Sequence, residues 1–172
     1  LACVSFLQAC SAVYSNAPVG DTPVPVSEQE WAGTWLGPGG AVTVAVSDAD
    51  KGVLQAAWIE HRQDRLDLES HRVWLAQSGE WLFASVEDKE RPGHYVWAHI
   101  VRDGEQLILW VPDPARVKAL VEQGKLRGRA LEKDGDDVLL EPLNDQDLDL
   151  LMSPAGGAVD WRRATAFIRV AK

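Results

Sequence analysis

The chain has 172 residues, of which 46% are hydrophobic and 25% charged, enough apolar material for one core of ordinary domain size. Its net charge of −9 and lack of any lysine or arginine block exclude phosphate-based recognition of nucleic acid, which needs clustered cations. The same acidity gives no electrostatic attraction to anionic lipid.

Residues 1–9 are uncharged and mostly apolar, with Leu1, Ala2, Val4, Phe6, Leu7 and Ala9 preceding Cys10. The run is too short to span a bilayer, which takes roughly 20 apolar residues, but it fits the end of a secretory signal. Residues 11–29 hold Pro18, Pro23, Pro25 and Gly20 among small and polar side chains. Such a segment buries too little to fold alone and is expected as a flexible tether with ends about 25 Å apart. No cysteine follows Cys10, so a disulfide is open only to Cys3 and Cys10, and the folded domain over 30–172 has no thiolate site.

Leu7-Gln8-Ala9-Cys10 resembles the lipobox of bacterial lipoproteins. The resemblance implies a signal remnant over 1–9, lipidation of Cys10 and a membrane anchor through its acyl chains. Ser11, in place of aspartate, implies sorting to the outer membrane, with the domain facing the periplasm.

From residue 31 onward, turn signals recur at short intervals, including Ser78-Gly79, Pro92-Gly93 and Asp103-Gly104. Between them lie runs rich in Val, Ile, Trp and Thr at 41–47, 53–60, 66–76, 81–87, 94–102 and 106–111, with further strands expected at 127–132, 137–141 and 165–170. This spacing predicts a mostly β fold, an antiparallel up-and-down meander closing into a barrel or sandwich. Two short helices interrupt it. Asp113-Pro114 caps and starts one, which Gly124 closes; Asn144 caps the other, which runs to Met152 before Pro154.

Two hairpins decide the faces. A two-residue turn at Asp103-Gly104 places Ile100 opposite Leu107, Ala98 opposite Leu109 and Val96 opposite Val111. The other face carries Tyr95, Trp97, His99 and Trp110. A Ser78-Gly79 turn gives a second aliphatic face (Leu75, Leu82, Val73, Ala84) and a second aromatic one (Trp74, Trp81, Phe83). Neither side is the polar face of a half-solvated sheet, so both must be covered. Trp74, Trp81, Phe83, Tyr95, Trp97, His99 and Trp110 then either line a ligand cavity or fill a dry core.

Trp31-Ala32-Gly33-Thr34-Trp35 opens the domain, and Gly33-Thr34-Trp35 is similar to the Gly-x-Trp signature of lipocalins. The resemblance implies a tryptophan on the first strand packed against an arginine from near the barrel's end, a part open to Arg169, Arg162 or Arg163.

Nucleophile-elbow, phosphate-loop and dinucleotide patterns are absent, and no catalytic set can be named. Asp48 to Gly52 begins like a calcium loop, but Ile59 stands where the bidentate glutamate belongs. His61 and His71, with Glu60 and Glu69, reach the minimum for zinc only if the strand register joins them; rim positions are the other reading. No metal or cofactor is expected. The chain reads as an envelope lipoprotein that docks a protein partner, or as a binding module for a small apolar molecule or lipid.

Overall fold

Eight antiparallel strands roll up until the first and last of them meet. The computed structural model describes residues 11–62, 65–131, 135–154 and 157–171, without the side chains of 59–62, 65–67 and 171. In chain order the elements are β1 (Val13–Ser15), β2 (Thr22–Pro23), α1 (Glu28–Trp31), β3 (Gly33–Gly37), β4 (Gly40–Asp48), β5 (Val53–Arg62) and β6 (Arg65–Ser78). There follow β7 (Trp81–Glu87), β8 (Tyr95–Asp103), β9 (Gln106–Trp110), α2 (Pro114–Glu122), β10 (Gly128–Ala130), β11 (Val138–Leu140), α3 (Asp145–Met152) and β12 (Thr165–Ala171).

Strands β3 to β9 run up and down in order, and β12 pairs with both β9 and β3 to close an eight-stranded antiparallel barrel. The expected meander, barrel and two inserted helices are all present. Closure removes the free edges that an open sheet would expose. Beyond Trp110, strand β9 leaves the wall, and β1 takes the place beside β8, carrying β11 and β10 as a small side sheet.

Both hairpins differ from the sequence expectation by two residues in register. Asp103 pairs with Gln106, and Ser78 pairs with Trp81, so the loops are Gly104-Glu105 and Gly79-Glu80. Glycine takes the first central position, where primed turns need positive φ: +56° at Gly79 and +57° at Gly104. A shift of two preserves the alternation, so the two faces keep their membership.

The larger difference lies at the N-terminus. The segment expected as a free tether is laid along the barrel, with Val13, Tyr14, Val19 and Val26 buried. Asp137 Oδ1 accepts from the Ala12 amide at 2.7 Å, and Ser85 Oγ accepts from the Val19 amide at 2.9 Å. Val24 and Val26 donate their amides to Leu75 and Ala49. Low apolar content argues against folding alone, but a neighbouring sheet supplies the partners that the segment lacks. The signal-like run 1–9 and Cys10 lie outside the described residues.

Both inserted helices form where the caps predict. Asp113 Oδ1 accepts from the Arg116 amide, and Asn144 and Asp147 cap each other reciprocally. Their apolar residues, Val117 and Leu120 on α2 and Leu148, Leu151 and Met152 on α3, pack into one cluster with Phe83 and Trp97. Among the described residues no helix is long and apolar enough to cross a membrane.

Candidate functional site: an apolar cavity inside the barrel

Alternation along each strand sends every second side chain inward. The inward set on β8 and β9 is Val96, Ala98, Ile100, Leu107 and Leu109; on β6 it is Val73 and Leu75. Together with Val42, Val44, Leu54, Ala56, Ala84 and Val86 they line a cavity of about 610 Å³, within the span of small-molecule sites. Three inward positions are alanines, and small side chains leave a barrel of this size unfilled.

Of the two readings left open for the aromatic face, the cavity does not lie on it: these residues stand on the outer wall, most of them beneath the inserted helices and the segment preceding β12. Phe83, Trp97 and His99 are buried there, packed with Trp81, Trp110 and Trp161. His99 stacks on Trp110 at 5.5 Å between centroids and meets Trp81 edge-on at 5.2 Å. Its Nδ1 lies 3.0 Å from the Leu82 carbonyl oxygen. Burial holds the imidazole below its ordinary pKa, and the Leu82 carbonyl opposes that shift. Trp74 and Tyr95 meet edge-on at 5.4 Å away from this cluster. Of the seven residues only Trp97 also borders the cavity. The outer aromatic layer around Phe83 and Trp97 needs a covering element, and α2 and α3 provide it.

One end of the cavity is sealed. Trp31 and Trp35 close it, and the Trp35 indole N–H donates to the Trp31 carbonyl at 3.0 Å. Of the three candidate arginines, Arg169 is the one that lies over Trp35, its guanidinium carbon 5.4 Å from the ring centroid. It donates to Glu105 and to the carbonyls of Gln29, Glu30 and Ala32, which the end of α1 leaves without helical partners.

The other end is bordered by Trp58, Val111, Pro112 and Phe167, with Ser11, Ala12 and Val13 on the wall where β9 departs. Val111 is half exposed, so the cavity reaches solvent here. Trp58 stacks flat on His71 at 4.9 Å and 8°. His71 Nε2 is 3.0 Å from Glu69 Oε1, and Lys89 Nζ is 3.7 Å from the same oxygen.

The register separates the two histidines considered for zinc. His71 pairs with Ala56 and His61 with Leu66, five strand positions apart, or roughly 16 Å along the hairpin. The side chains of Glu60 and His61 lie outside the described residues. Among the described residues no group of histidine, cysteine and carboxylate side chains could hold a metal ion. The sequence signal for the true lining was the aliphatic face with its alanines at 56, 84 and 98; alternation alone does not say which face turns inward.

No protein family, curated protein or solved structure matches this chain.

Proposed function

We propose that this protein binds an elongated apolar molecule inside its barrel, while tethered to a bacterial envelope membrane through acyl chains on Cys10. The observation that carries the binding role is the 610 Å³ cavity itself: an almost wholly apolar space, aliphatic along its walls, closed by Trp31 and Trp35 at one end and open near Val111. Burying a ligand's apolar surface there releases ~25 cal/mol per Å², which favours hydrocarbon over polar metabolites. The packing of Arg169 on Trp35 supports the lipocalin-like reading. The lipobox resemblance at Leu7-Gln8-Ala9-Cys10 supports the anchor, and Ser11 supports an outer-membrane address. No catalytic role is proposed.

A second reading, docking of an envelope protein, draws on a different surface. Leu36 and Ile168 face each other across β3 and β12 on the outer wall, with Val170 two residues on, all more than half exposed.

The test is native purification from membranes, solvent extraction and mass spectrometry of the extract. A stoichiometric hydrocarbon-rich molecule supports the binding role; a ligand-free protein bound to another polypeptide supports docking instead. Fatty-acid labelling that survives Cys10→Ala would remove the anchor.

A further inference from the structure

We infer that the side of the barrel carrying the Val111 opening is held against the bilayer, and that the cavity takes a hydrocarbon chain of a membrane lipid directly from it; the inference rests on the cavity and the anchor proposed above. Orientation follows from where the anchor joins the fold. Ser11, the residue bonded to Cys10, itself borders the cavity, as do Ala12 and Val13. Consecutive Cα atoms are about 3.8 Å apart, so acyl chains on Cys10 would leave the protein beside the cavity wall. The attachment has no slack. Asp137 Oδ1 accepts from the Ala12 amide at 2.7 Å, and the Ala12 carbonyl accepts from the Val138 amide at 3.0 Å. Arg91 holds the other oxygen of the same carboxylate at 2.5 Å. Val13 is buried and paired with Val138. A long flexible linker would let the barrel turn any side to the membrane, whereas an attachment fixed one residue from the wall selects one.

The selected side is the open one. On β8, His99 pairs with Trp110 and Val96 with Tyr14, so β9 leaves and β1 arrives beside Trp97 and Ala98, which both border the cavity. Val111, the first residue past β9, lines the cavity while 54% exposed, and Pro112 and Pro114 continue the apolar border. Anchor and opening therefore share one flank of β8. A hydrocarbon chain moving from bilayer to cavity there exchanges one apolar surrounding for another, without the cost of exposing its surface to water. Strand β4 stands on the far wall, four strands from β8 whichever way round the barrel is followed. Its Val42 and Val44 line the cavity, and Ala45 is exposed on the outside.

The experiment uses the lipidated chain, purified from bacterial membranes and reconstituted in vesicles of phosphatidylethanolamine and phosphatidylglycerol. A fluorophore is attached at Val111→Cys or Ala45→Cys, each variant checked for an unchanged fold by circular dichroism, and a phospholipid with a nitroxide near its head group is added to the bilayer. The Val111 fluorophore should lose most of its emission and the Ala45 fluorophore should keep it. A Gly-Ser linker of about 20 residues placed between Cys10 and Ser11, with ends roughly 25 Å apart, should bring the two positions to similar quenching. In vesicles containing a phospholipid with a diazirine at the end of one acyl chain, irradiation should mark inward residues such as Ala84 and Leu107. Equal quenching at the two positions without the linker overturns the orientation, and diazirine marks confined to outward residues overturn the membrane source. If N-phenyl-1-naphthylamine does not bind the detergent-purified protein, the cavity reading falls first; if Cys10 carries no acyl group, the anchor does, and this inference falls with either.

Discussion

Arg169 and Trp35 face each other across paired strands, the guanidinium carbon 5.4 Å from the indole centroid. The pair ties the last strand of the barrel to the first and, through the carbonyls of Gln29, Glu30 and Ala32, fixes α1 across the sealed end. Arg169→Ala removes a cation–π contact and the partner of several carbonyls at once, so it should cost about 2–3 kcal/mol by urea unfolding. Arg169→Lys, with a point charge in place of the fork, should recover only part of this. A loss below half a kilocalorie for the alanine variant would show that the seal is held by other contacts.

The hairpin turns give a conformational prediction. A Cβ at Gly79 or Gly104 would meet nothing within 4 Å, so any penalty for substitution comes from the backbone and not from crowding. Gly104→Val should lower stability by about 1–2 kcal/mol, the cost of a left-handed conformation for a branched residue. Gly79→Val should behave alike. Substituting Asp103, which the structure places in the strand, should cost little by comparison.

The outer aromatic layer is read as packing. Phe83 is fully buried among Trp97, His99 and the inserted helices, so Phe83→Ala should cost about 3–5 kcal/mol in thermal or denaturant unfolding. In a variant still folded at low temperature, affinity for an apolar ligand should stay near wild type. A variant of unchanged stability with weakened binding would move the site to the outer face.

His99 should make stability pH-dependent. Burial depresses its pKa in the folded state, so the unfolded chain binds the proton more readily. The contribution is intact well above the ordinary histidine value of about 6.5 and is lost as pH falls through it. Lowering pH from 7.5 to 5.5 should therefore reduce the melting temperature, and His99→Phe should flatten that decline. Parallel profiles for the two proteins would exclude the imidazole as the source.

Much of the barrel was legible because its signals are local. Alternation over 94–102 and 106–111, glycines in turns and the Asp113 and Asn144 caps each act within a few residues. The two-residue register error arose because Asp103-Gly104 and Ser78-Gly79 both offer glycine as the second turn residue, whereas the chain uses it as the first. Which face turned inward was not legible. Both are apolar, and the choice depends on α2 and α3 covering Phe83 and Trp97 from a distance in sequence. The docking of Val13, Val19 and Val26 was hidden for the same reason, since their partners Val138, Ser85 and Ala49 are remote in sequence. Arg169 was legible only as one of three arginines, and the strand pairing with Trp35 selects it.

The central claim is that the inward aliphatic space is the binding site, and Ala98→Trp tests it most directly. Ala98 is buried on the inner wall of β8 and borders the cavity, so an indole there would occupy the ligand's volume and leave the outer aromatic layer in place. Titration of N-phenyl-1-naphthylamine should show saturable fluorescence enhancement with the wild type and none, or at least tenfold weaker binding, with the variant, both folded by circular dichroism. Undiminished saturable binding by a folded Ala98→Trp protein, or none by the wild type, would contradict the account.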